Sequence, residues 1–227
     1  MALVVEEVRL GAPDVRREPL AVGEGDHRVL AALPHGDRHP DAVQVEAPRA
    51  DGGEAVVAHA DDPLRPRALG SRPHDGEGLP ATRTTFVDAG RLITWAHNCY
   101  TARKLGDTPT GHASRPSSGR PGIRPSNLYL AAGDRSPEDI IGEIDFGFFC
   151  DGMMGFGFNA VTGDFSRGAS GFLIENGRLT RPVSEVTLSL NFGDILTNID
   201  AIGNDLRFDR GVVAPTIRVT KMTLAGR

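Results

Sequence analysis

The sequence predicts an α+β fold that is mostly β: an antiparallel barrel-like or sandwich-like sheet with two short helices, preceded by an irregular N-terminal segment. Three observations carry this expectation. Glycine (28) and proline (16) are abundant in the 227 residues and aromatic residues make up only 6%, which favours short elements separated by turns over long helices. From about residue 59 onward, apolar residues alternate at strand period more often than they recur at helical period. Strand and helix patterns do not follow one another in a βαβ rhythm, which argues against a doubly wound nucleotide-binding fold.

Residues 1–58 carry Pro13, Pro19, Pro34, Pro40 and Pro48, much Asp, Arg and His, and few aliphatic residues in any period. They are expected to be an atypical, poorly ordered segment. The texture changes between Glu54 and Asp61, and 59–227 is expected to be one domain. In "TRTTFVDAGRLITWAHN" two alternating runs flank Asp88-Ala89-Gly90, the pattern of a hairpin. "SNLYLAAG" places Leu128 and Leu130 on one face of a short strand. "SPEDIIGEI" opens a helix: Ser136 is the N-cap, Pro137 takes the first helical position, and Glu138 and Asp139 stand where the helix dipole favours anions. "GFLIENGRLTRPV" reads as two strands joined at Asn176-Gly177, a pair suited to the two positive-φ positions of a type I′ turn. "NFGDILTNIDAIGND" aligns Ile195, Leu196, Ile199 and Ile202 on one stripe, predicting a second helix that ends at Gly203. "APTIRVTKMTLAG" alternates Ile217 and Val219, then Met222 and Leu224, as a last strand pair or a bent strand.

Bulk properties narrow the function. The net charge is -5 with Lys and Arg scattered singly, so there is no basic stripe for a phosphate backbone, and nucleic acid is not an expected partner. No apolar run approaches the ~18 residues needed to span a bilayer, so no membrane is expected either. "MALVVEEVRLGAPD" has acids and no basic n-region, unlike a secretory signal. A soluble, cytoplasmic chain follows, with Cys99 and Cys150 as buried free thiols.

Several stretches suggest chemistry and fall short of it. "GFGFNA", Gly155 to Ala160, fits a loose dinucleotide pattern, but "VTGDFSRG" follows where a helix N-terminus is needed. "TGDFSRGASG" lacks the regular acidic spacing of an EF-hand loop, so Asp164 is expected to bond local amides in a turn. His35 and His39 have the i, i+4 spacing of a zinc helix, yet Pro34, Gly36 and Pro40 forbid the helix and no Glu lies between them. Ser166, His112 and Asp164 supply the residue types of a hydrolase triad without a nucleophile-elbow motif. The Gly-, Pro- and Ser-rich stretch "TPTGHASRPSSGRPGIRPSN" around His112 reads as a long loop, either a solvated connector or a functional one.

Taken together, "LGSRPHDGEG", "YTARKLGDTPTGHA", "VTGDFSRGASGFLIENGRL", "PVSEVTLSLNFGDILTNIDAIGND" and the closing "MTLAG" resemble the C-terminal domain of the TldD/PmbA metallopeptidase family, on the side of the PmbA (TldE) subunit, from about Ala60 to Arg227. The resemblance implies a cytoplasmic system in which TldD and TldE form a heterodimer that degrades peptides and trims leader peptides. In that system the TldD-like partner carries zinc on an HExxxH helix with a later cysteine. This chain has no HExxxH, and "RFDRGVVAPTIRV", where that cysteine would fall, contains none. The resemblance therefore implies a subunit with no zinc or other cofactor of its own and no catalytic residue, dependent on a TldD-like partner and peptide substrates. The alternative is a truncated, non-enzymatic binding or assembly domain of the same family. Residues 1–58 do not resemble the domain that precedes the matching region in the family, and their Arg, Ala, Pro, Gly, His and Asp bias leaves two readings open, a genuine segment or the product of a shifted reading frame in a GC-rich gene. If a peptide runs past the domain, an edge strand would hold it through its backbone. The contact candidates are Thr110, Gly111 and His112 in the long loop and Gly163 and Asp164 at the later turn.

Overall fold

The structure, a computed structural model, describes residues 3–10 and 59–226. In chain order the first elements are β1 (Leu3–Leu10), β2 (His59–Asp61), β3 (Thr84–Asp88), β4 (Arg91–Leu92), α1 (Cys99–Leu105), β5 (Ala113–Ser114), β6 (Gly122–Ile123) and β7 (Leu128–Leu130). They are followed by α2 (Pro137–Gly142), β8 (Phe146–Met154), β9 (Asp164–Glu175), β10 (Arg178–Asn191), α3 (Phe192–Thr197), β11 (Ile199–Ile202), β12 (Val212–Val213) and β13 (Ile217–Ala225). The described residues divide into two units: one built from 59–135 and Ile202–Thr216, the other from β1, Ser136–Ala201 and 217–226.

The second unit is a closed barrel of five strands. β1 pairs with β8, β8 with β9, β9 with β10, β10 with β13, and β13 returns to β1, with β11 added beside β13. Closure leaves these strands without an open edge. Along β13 the residues Ile217 and Val219, and then Met222 and Leu224, are buried, as are Val5, Phe148 and Leu188 on the neighbouring strands. A further cluster joins Val4 of β1, Ile144 after α2 and Ile174 of β9, with Ile141 and Phe149 against it. The α2 helix starts as its sequence dictates: Ser136 Oγ accepts the Asp139 amide at 3.1 Å and Pro137 opens the first turn. The β9–β10 hairpin turns at Asn176 (φ 51) and Gly177 (φ 73). Two register shifts in β10 fall at Leu179/Pro182 and Val183/Val186, so its proline sits beside an irregularity where a ladder donor is not required.

The first unit carries a five-stranded sheet in the order β12-β7-β2-β3-β4 and a small β5–β6 pair. The β3–β4 hairpin turns at Ala89 (φ 54) and Gly90 (φ 73), as the Asp88-Ala89-Gly90 pattern predicts.

Several expectations need correction. The predicted irregular character of 1–58 does not hold for Leu3–Leu10, an eight-residue strand with Leu3, Val4 and Val5 buried. Its short "LVV" run is too brief for periodicity to reveal and gains its partners only from β8 and β13. The sheets are not purely antiparallel, because β1–β13 and β12–β7 are parallel. A third helix, α1, is capped by a reciprocal pair, Asn98 and Thr101, and stopped by Gly106 at φ 69. The last predicted helix closes at Thr197: Asn198 turns both its backbone amide (3.0 Å) and its side-chain amide (2.7 Å) onto the Asp194 carbonyl. Ile199–Ile202 then runs as a strand rather than continuing the helical stripe. Ile217–Ala225 is a single strand. Both cysteines are free and Cys150 is buried, whereas Cys99 is only partly so. His35 and His39 lie outside the described residues.

Candidate functional site

The strongest concentration of buried polar groups lies in the first unit, where the chain after α1 passes β2. Asp61 ends β2 and is 1% exposed. Its carboxylate accepts the Ser126 amide at 2.9 and 3.0 Å and the Ser126 hydroxyl at 2.7 Å. His112, also 1% exposed, places Nε2 at 3.3 Å from Asp61 Oδ2, an ion-pair distance at an angle away from a straight hydrogen bond. Burial alone would push the Asp61 carboxyl up. The His112 contact and the Ser126 hydrogen bonds outweigh it and hold the group below its ordinary value.

The other face of His112 leads back along the loop. Its Nδ1 is 2.8 Å from Thr110 Oγ1, and its ring packs on Phe86 of β3 with centroids 5.3 Å apart. Thr110 Oγ1 in turn accepts the His97 amide at 2.7 Å and donates to the His97 carbonyl at 3.2 Å. Between them Gly111 sits at φ +73, and an added Cβ there would stand 3.0 Å from the Pro80 carbonyl oxygen. A side chain is thus disfavoured by backbone conformation and by space together. Ala113 donates its amide to the buried Asp75 carboxylate at 3.1 Å. His97 faces Thr101 Oγ1 at 3.3 Å and Asp107 at 3.5 Å.

The second unit places Gly163 and Asp164 at the start of β9. Gly163 has φ +76 and accepts the Phe192 amide through its carbonyl at 2.7 Å. The Asp164 carboxylate takes the Thr162 hydroxyl at 2.6 Å, not a local amide; the amide-gathering side chain is Asn159, which accepts from Val161 and Thr162. "GDFSRGASG" is therefore mainly strand, because β10 offers it a full ladder partner. Gly157 lies where a Cβ would come within 1.6 Å of the Ser166 carbonyl oxygen, so the glycines of "GFGFNA" permit backbone contact with β9. The proposed hydrolase trio does not form: Ser166 Oγ pairs with Ser189 Oγ at 3.0 Å, and His112 faces Thr110 and Asp61.

Sequence reasoning named Thr110, Gly111 and His112 but missed Asp61, Ser126, Asp75 and His97. Their sequence separations leave no local motif. The Asn98-x-x-Thr101 cap is the one local signal in this region that the sequence carries.

A closed barrel unit and a unit with a buried polar site on a short mixed sheet define a class, and the comparisons identify it: the chain belongs to the PmbA/TldD metallopeptidase family. The family's profile, described as the PmbA/TldA metallopeptidase C-terminal domain, matches residues 53–226. The chain is 37% identical over 161 residues to Metalloprotease PmbA of Escherichia coli O157:H7, covering 71% of this chain and 34% of that protein. It is 36% identical over 164 residues to a metalloprotease of Methanothermobacter thermautotrophicus, covering 70% and 36%. The crystal structure of TldE from Thermococcus kodakarensis superposes with a TM-score of 0.71 at 27% identity, covering 82% of this chain and 41% of that one. The chain spans about a third of the length of the PmbA relatives it matches.

Proposed function

We propose that the chain acts as a PmbA (TldE)-type subunit in the hydrolysis of peptides and trimming of leader peptides. In this reading it pairs with a zinc-bearing TldD-like partner in the cytoplasm and holds no zinc itself. The observation that carries the reading is the commitment of His112 and Asp61 to each other and to Thr110 and Ser126. They are ligand-type side chains: Asp61 and His112 Nδ1 lie at hydrogen-bond distance from hydroxyls, and His112 Nε2 stands 3.3 Å from the Asp61 carboxylate without a straight hydrogen bond. Among the described residues no group of three His, Cys, Asp or Glu is placed to hold a metal. Zinc sites need three or four such ligands, which supports the reading of a chain without its own zinc. Thr110, Gly111 and His112, with Gly163 and Asp164, are proposed as peptide or partner contacts.

The test is co-expression with a TldD-like protein, followed by metal analysis and peptidase assay of the chain alone and of any complex. The expected result is less than a tenth of an equivalent of zinc and no activity alone, with EDTA-sensitive activity in the complex. Stoichiometric zinc or EDTA-sensitive cleavage by the isolated chain would overturn the reading. Co-purification without any gain in activity would leave only an assembly role.

A further inference from the structure

We propose that Asp61 is a positioning residue for the 110–113 loop, acting through His112 to set where the Thr110 hydroxyl and the His97 peptide meet. Only the functional meaning of that loop rests on the proposed subunit role.

A carboxylate 1% exposed is stable only when its oxygens are filled. Ser126 supplies an amide and a hydroxyl, and His112 Nε2 stands 3.3 Å from Oδ2, the oxygen that also accepts that hydroxyl. Apolar side chains could fill the same volume without desolvating a charge, so the polar pair adds direction rather than bulk. From β2 the direction runs through the imidazole to Thr110 Oγ1 at 2.8 Å. From there it reaches both polar groups of the His97 backbone at 2.7 and 3.2 Å. Thr110 also donates its own amide to the His97 carbonyl at 3.4 Å, and His112 accepts the Arg124 amide at 2.9 Å. Three stretches with little regular structure of their own, around 97, 110–113 and 124–126, therefore share one buried anchor. Ala113 has a separate anchor in Asp75, which gives the arrangement an internal control.

The prediction is read by amide hydrogen exchange on the full chain. In Asp61→Asn, the amides of His97, Thr110 and Arg124 should exchange about ten- to a hundredfold faster, the loss expected of one or two charge-assisted hydrogen bonds. The Ala113 amide and those of β8–β10 should keep their protection. Ser126→Ala removes a donor from the same carboxylate without touching the His112 branch, so it should leave His97 and Thr110 protected. A purely structural contribution would loosen both sides alike. Should Asp61→Asn not fold, Thr110→Val cuts the relay at its far end, and His97 alone should lose protection while Ser126 and Ala113 keep theirs. Unchanged exchange at His97 in folded Asp61→Asn or Thr110→Val, or equal loosening of Ala113 in either, would overturn the proposal. Capture of a TldD-like partner is measured on the same samples. A loosened loop with normal capture supports the positioning role and removes the loop from the proposed contacts.

Discussion

His112 faces a hydroxyl on one ring nitrogen and a carboxylate on the other, inside a site closed to solvent. The consequence is measurable through Asp61, whose carboxyl is held below its ordinary value by His112 and Ser126 against the opposing effect of burial. A depressed folded-state value means the interaction stabilises the fold fully above the unfolded-chain value of about 4. That stabilisation is lost as pH falls through the lower folded value. Urea unfolding from pH 7 down to pH 2 should show a fall in stability on the acid side that is shallower in Asp61→Asn. Parallel acid-side curves for the two proteins would show that Asp61 is not the linked group. The sequence displayed the Thr110, Gly111 and His112 cluster because those residues are adjacent. It hid Asp61 because the pairing spans a long stretch of chain and rests on the meeting of β2 with an irregular loop.

Elements closed by local chemistry were legible. Ser136 with Pro137 marked the start of α2, and Asn176-Gly177 marked the β9–β10 turn, because caps and turns are decided by a few adjacent residues. Gly177 combines φ +73 with a close approach: an added Cβ would lie 2.6 Å from the Gly142 carbonyl oxygen. Gly177→Ala should therefore destabilise the barrel unit by about 1 to 3 kcal/mol, combining backbone strain with displacement of the Gly142 peptide. Gly122→Ala, where the added Cβ meets nothing, should change stability by no more than ~0.5 kcal/mol. Chemical denaturation of the two variants checks the pair, and equal effects would contradict the role assigned to the turn. Elements that owe their form to distant partners were misread. Ile199–Ile202 continued a helical stripe on paper and became a strand beside β13, since a four-residue run takes its form from the neighbour that completes its hydrogen bonds.

At the scale of the whole molecule, the barrel closes through β1, the described part of a segment whose composition argued for disorder. Val4 and Val5 are fully buried between β8 and β13. Val4→Ala should cost on the order of 2 kcal/mol by leaving a cavity beside Ile144 and Ile174. A change within ~0.5 kcal/mol in urea unfolding would show that β1 does not complete the core. Among the described residues no helix is long and apolar enough to cross a membrane. The sequence by itself determined the mostly β class, the two glycine-bearing hairpin turns, the α2 cap and the family, because each depends on residue type at short spacing or on a pattern carried along the chain. Only the tertiary structure decided the closure through β1, the parallel pairings and the Asp61–His112 anchor. Each of these arises where segments far apart in sequence meet, and their stability comes from burial and pairing that no local window contains.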